Sequence, residues 1–165
     1  MGHHVGQKQP PARRRGTPLR LSGEDHLVVA DLSFPILCLS GPTIFVRHDS
    51  ERLLTCGEAA LTNGYFLRLR VIDSKLDEYS VRQVKKVGNV GLLGGWRLFY
   101  ASRRIRVDLT LGPPQRLSFD DVRDAVIATM NLDREFWESA GDLDEQAAEI
   151  SEIASFDDLL RRFDQ

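Results

Sequence analysis

The sequence predicts an α+β fold, with a mainly antiparallel sheet of about six to eight strands in residues 26–111 and three or four C-terminal helices packed on it. Three observations carry that expectation. Residues Tyr65–Ile72 and Arg104–Leu111 alternate apolar and polar side chains with the period of two that a half-buried strand requires. After Gly112-Pro113-Pro114 the period changes to about 3.6, so that Phe119, Val122, Val126, Ile127 and Met130 fall on one helical stripe. Strands first and helices last is the order of a sheet with helices on one face or at one end.

Residues 1–22 hold Pro10-Pro11, Arg13-Arg14-Arg15 and Pro18 with hardly a bulky apolar side chain, which predicts a disordered basic tail. The rest, 23–165, reads as a single domain, strand-rich over 23–111 and helical over 118–165. The Arg run is followed by Gly16, Thr17 and Pro18 where a signal peptide would place its apolar core, and the best apolar stretch, Leu27–Leu39, is broken by Asp31 and Pro35. Neither export nor a membrane span is expected, and the cytoplasm is the expected compartment.

Leu27–Leu32, Ile36–Ser40 and Thr43–Arg47 are rich in Val, Ile, Leu and Phe and predict three strands, the last two joined by a hairpin at Gly41-Pro42. Arg52–Cys56 predicts a further short strand, and Gly57–Gly64 a turn or a single helical turn. In Tyr65–Ile72 the residues Tyr65, Leu67, Leu69 and Val71 share one face, the core face. Glu78–Val87 returns with Tyr79 and Val81 in phase but Val84 and Val87 out of it, which places a bulge near Arg82-Gln83. Gly88, Gly91, Gly94 and Gly95 predict a loop, and Trp96–Ala101 and Arg104–Leu111 a second hairpin through Ser102-Arg103.

Ser118 with Asp121 three residues on predicts a capped helix start, and the same Ser-Phe-Asp-Asp string at Ser155–Asp158 predicts another. Between them Asp133 caps a short helix bearing Phe136 and Trp137, Gly141 ends it, and Leu143, Ala147, Ile150 and Ala154 stripe the next. The expected core is Leu67, Leu69, Val71, Val81, Ile105, Val107, Leu109, Phe119, Val122, Val126, Ile150, Leu159 and Phe163.

The net charge of −2 conceals segregation: residues 65–117 carry eleven bases against four acids, and residues 118–165 four bases against fourteen acids. Arg outnumbers Lys 18 to 4, a bias that suits a GC-rich bacterial coding sequence as well as it suits phosphate or carboxylate recognition.

The residues offering binding chemistry are Arg68, Arg70, Arg82, Arg97, Arg104 and Arg106, with Lys85 and Lys86, all expected on the sheet and near Phe66, Phe99 and Tyr100. Such a face reads an acidic protein partner or a single nucleic-acid strand, although alternating Arg also keeps an ordinary sheet soluble. Trp137 beside Phe136 is the candidate apolar anchor, because adjacent helical residues cannot both face one core.

Other chemistry is weakly supported. The glycine segment 88–95 lacks GK[ST] and GxGxxG, so no nucleotide cofactor is implied. Cys38, Cys56 and the four His form no zinc spacing, and Asp142-Leu143-Asp144 matches only the opening of a calcium loop, so no metal is expected. Cys56 with His48 is the pair for a nucleophilic enzyme, but GxSxG is absent. The leading expectation is a non-enzymatic module that binds a protein partner or itself, in the manner of immunity, antitoxin or regulator proteins. Nucleic-acid binding and a small enzyme stand as alternatives.

Overall fold

The structure, a computed structural model, describes residues 27–90 and 104–164. Among the described residues eight strands, β1 (Leu27–Val28), β2 (Ile36–Ser40), β3 (Thr43–Arg47), β4 (Thr55–Gly57), β5 (Leu69–Ile72), β6 (Asp77–Asn89), β7 (Arg104–Leu111) and β8 (Gln115–Arg116), form one antiparallel sheet. Its order is β1-β7-β6-β5-β2-β3, with β4 also on β7 and β8 on β6. Short helices α1 (Ser50–Leu53) and α2 (Glu58–Thr62) lie between strands, and α3 (Phe119–Met130), α4 (Arg134–Glu138), α5 (Leu143–Glu152) and α6 (Phe156–Phe163) follow them. The α+β class is therefore observed, with the sheet first and the helices last.

The sheet is curled, and the long β6 carries the irregularities that bend it: its register on β7 shifts between Val81 and Gln83 and again between Lys86 and Gly88. The first shift is the bulge the phase change at Arg82-Gln83 predicts.

Curling produces two cores. The concave side collects Ile36, Cys38, Phe66, Leu69, Val71, Tyr79, Val81 and the alternating Ile105, Val107, Leu109 and Leu111 of β7. The convex side of β2, β3 and β5 carries Leu37, Leu39, Ile44, Val46 and Ile72 under α3, α5 and α6. Lying between both cores, β2 buries all five of its residues, which is why Ile36–Ser40 reads as a continuous apolar run.

The helices begin as their caps require. Ser118 accepts from Asp121 N–H in a full capping box, Ser155 from Asp158 N–H, Asp133 from Phe136 N–H, and Asp142 from Asp144 and Glu145 N–H. Arg123 Nη1 donates to Ser151 O at 2.6 Å and Ile153 O at 3.0 Å, so a side chain of α3 satisfies carbonyls at the end of α5. Asp73, 1% exposed, accepts from the N–H groups of Ser33, Lys75 and Asp77, which fixes the β5–β6 turn against the segment before β2.

Several expectations are corrected. Tyr65–Arg68 is a 3-10 helix entered from Gly64 at φ 68°, and β5 begins only at Leu69. Phe66 and Leu69, three residues apart, are buried, whereas Leu67 is 66% exposed and outside the core. The alternation over 65–68 is incidental; the left-handed turn at Gly64 ends one element and the three-residue period starts another. Leu27–Leu32 is a two-residue strand followed by a 3-10 turn at Val29–Asp31. Of Arg52–Cys56, the first part lies in α1, capped by Asp49, and only Thr55–Gly57 pairs with β7. The tail 1–22, the strand Trp96–Ala101 and the Ser102-Arg103 turn lie outside the described residues.

Candidate functional site

Cross-strand partners share a face, so the register of β6, β7 and β4 defines which side chains point away from the concave core. On β7 the buried Ile105, Val107, Leu109 and Leu111 alternate with outward Arg104, Arg106, Asp108 and Thr110. Opposite them on β6 stand Gln83 across from Thr110 and Lys85 across from Asp108, and on β4 Thr55 across from Arg106 and Gly57 across from Arg104. Arg82, the residue at the bulge, is exposed and lies over Gly112, where an added Cβ would come within 3.1 Å of its Nε.

Arg82, Lys85, Arg104 and Arg106 are thus gathered on the part of the convex face that the C-terminal helices leave open. Among the described residues none of these four forms an ion pair. The other predicted bases are placed differently. Arg70 shares the convex face but is bonded to Glu78 of the neighbouring strand. Lys86 faces across from Val107 and pairs with Glu58 of α2 at 2.7 Å. Arg68 sits on the 3-10 helix, not on the sheet, because β5 starts one residue later. Arg97 lies outside the described residues. Of the aromatics that stacking on nucleic acid needs, Phe66 is 2% exposed in the core, and Phe99 and Tyr100 lie outside the described residues.

Trp137 is far from this face in the sheet order. Its Nε1 donates to Pro42 O at 3.0 Å in the β2–β3 turn, and its ring meets Phe136 and Phe163 edge-on at 5.4 and 6.3 Å. The indole therefore fastens α4 to the sheet, and Phe136, 56% exposed, is the aromatic that solvent reaches. Beside them lies a cavity of about 480 Å³ bounded by Thr43–Phe45 of β3 and by residues of α4, α5 and α6. The adjacency of Phe136 and Trp137 is the sequence signal for this place; the strand beside it is brought there by the fold alone.

His48 and Cys56 have separate partners in the structure. His48 Nε2 meets Asp164 Oδ1 at 2.9 Å, and Cys56, in register with inward-facing Ile105, packs against the concave core. Burial pushes the Cys56 thiol upward, opposite to the shift that makes a thiolate nucleophile, and pushes Cys38 up to about 12 against the smaller opposing pull of Arg47. Tyr65 is raised for the same reason, burial first and the neighbouring Cys38 second. The acid clusters at 120–121, 142–145 and 157–158 serve helix starts, and among the described residues no three His, Cys, Asp or Glu groups converge as a metal site. No described helix is long and apolar enough to cross a membrane.

Compared with protein-family models, curated proteins and solved structures, the chain finds no match. The surfaces above are therefore interpreted from their own chemistry.

Proposed function

We propose that this chain is a non-enzymatic protein-binding module, immunity-, antitoxin- or regulator-like and acting in a bacterial cytoplasm, whose open sheet face takes an acidic protein partner. The observation that carries this reading is the gathering of Arg82, Lys85, Arg104 and Arg106 on one face, where a single acid, Asp108, stands across from Lys85 and where, among the described residues, none of the four bases forms an ion pair. Bases that already hold a carboxylate, such as Arg70, would give up that partner on binding, whereas these four gain one. Arg on this face suits bidentate contact with Asp and Glu of a partner.

The test is capture from native lysate by the wild-type chain and by an Arg82→Glu, Arg104→Glu, Arg106→Glu variant, with and without nuclease. A protein that survives nuclease and is lost by the variant supports the reading. Recovery of nuclease-sensitive material alone transfers the face to nucleic acid, and equal capture by both chains removes it from binding.

A further inference from the structure

The groove of about 480 Å³ between β3 and helices α4, α5 and α6 has the size of a small-molecule site, for which about 300–1,000 Å³ is usual. Its floor is Ile44, Met130 and Ile150, none more than 9% exposed, and its sides are Trp137 and Phe163, whose rings meet edge-on at 6.3 Å. Phe136, 56% exposed, carries the apolar wall out to the rim. The polar side chains along it are satisfied from within the chain: Trp137 Nε1 donates to Pro42 O at 3.0 Å, Gln146 Nε2 to Trp137 O at 3.3 Å, and Ser139 Oγ to Phe136 O at 2.6 Å. Among the described residues no buried side-chain N or O lacks a hydrogen bond, so the depth of the groove offers an occupant hydrocarbon contact and requires no polar group from it.

Charge enters the groove at one point. The described residues that line it include no Asp or Glu and a single base, Arg162, in the last turn of α6. The acids of the neighbouring helices are engaged elsewhere: Asp133 and Asp142 cap helix starts, and Glu138 and Asp144 hold Arg134. Arg162 Nη2 meets Glu149 at 3.4 Å with the two side chains 45% and 58% exposed, a long, half-solvated pair of the kind that contributes little in water. That contact uses one nitrogen of the planar guanidinium fork, and the rest of the fork has no partner among the described residues.

We infer that this groove is a binding site for a small single-tailed carboxylate, whose hydrocarbon tail lies on Met130 and Ile150 between the Trp137 and Phe163 rings and whose head group meets Arg162 at the mouth. An apolar floor without unsatisfied polar atoms selects the tail, and one guanidinium at the rim, with no carboxylate in the lining, selects a single negative charge that it can hold through two N–H groups. An ammonium on the same tail would stand beside Arg162 and be repelled. This site is separate from the open basic face and does not depend on it.

The probes are monomeric decanoate, octanoate and decylammonium, titrated into the full chain and followed through the methyl resonances of Met130 and Ile150. Decanoate is expected to shift both methyls, to bind about tenfold more tightly than octanoate because of its two further buried methylenes, and to bind at least about tenfold more tightly than decylammonium. Arg162→Gln is expected to bring decanoate and decylammonium within about twofold of each other, and Arg162→Lys to keep the preference for decanoate. Because Arg162 is half-exposed, both variants keep their fold, checked by an unchanged circular dichroism spectrum. The Arg82→Glu, Arg104→Glu, Arg106→Glu variant is expected to bind decanoate as the wild type does, which separates the failure of this site from that of the basic face. The inference is overturned by decanoate that leaves the Met130 and Ile150 methyls unmoved, by decylammonium that binds as tightly as decanoate, by loss of decanoate binding in the basic-face variant, or by methyl shifts that grow with protein concentration alone, the sign of a second copy in the groove.

Discussion

At the scale of single residues, Leu67 and Leu69 separate pattern from structure. Both fall on the same face if Tyr65–Ile72 is one strand, yet Leu67 is 66% and Leu69 2% exposed. Leu69→Ala is expected to cost about 2–4 kcal/mol through lost burial and a residual cavity, and Leu67→Ala within about 0.5 kcal/mol of nothing. Urea unfolding of the two variants checks this, and equal losses would restore the continuous strand. A second residue-scale prediction concerns acid. Ser118 Oγ and N–H both donate to the Asp121 carboxylate, at 2.6 and 2.8 Å, which holds this carboxyl below its usual 3.8. A depressed folded-state value means that the contribution is complete above 3.8 and is lost as pH falls through the lower folded value. Asp121→Asn should therefore be less stable than wild type at pH 7, with the difference shrinking as unfolding midpoints are followed down toward about pH 2. Ser118→Ala, which removes the cap itself, should cost about 1 kcal/mol at neutral pH.

At the scale of elements, the legible parts were those with local causes. The caps at Ser118, Asp133, Asp142 and Ser155, the β7 alternation and the β6 bulge are each written in neighbouring residues, and each is found. The illegible parts depend on partners distant in sequence. Nothing near Thr55 shows that three residues will pair with β7, nor does Gln115-Arg116 announce a strand, because such short pieces are held by the strand beside them. The basic face was half legible: alternation assigned Arg104 and Arg106 outward, but only the cross-strand register shows that Arg70 is occupied by Glu78 and that Lys86 turns toward α2. The groove along β3 was legible only as an unplaced aromatic pair, since its strand lies about 90 residues away in the chain. Gly112 makes a prediction at this scale. Its N–H bonds Ser80 O at 2.8 Å, and a Cβ there would stand 2.9 Å from Ser80 Oγ and 3.1 Å from Arg82 Nε. Gly112→Ala is expected to destabilise by about 1–2 kcal/mol and to displace Arg82 from the open face, as read by a lowered urea midpoint and weaker partner capture.

At the scale of the whole molecule, charge is divided between the two ends of the sheet's convex side. Helices α3–α6 cover β2, β3 and β5 and bring the acids of residues 118–165, while on β6 and β7 four bases form no ion pair among the described residues. A near-neutral total thus coexists with two fields of opposite sign, each able to steer a partner of its own. The ionic origin of the first implies that raising salt from about 0.05 to 0.5 M weakens an acidic partner's association chiefly through its on-rate.

The central claim is that the open basic face binds an acidic protein, and the most direct measurement is the affinity of the captured, purified partner for wild type and for Arg104→Glu, Arg106→Glu, with folding of the variant checked by circular dichroism. Reversal of two partner-facing charges should weaken binding at least about tenfold and flatten its salt dependence. An unchanged affinity with an unchanged salt dependence would contradict the account and place the partner elsewhere on the chain.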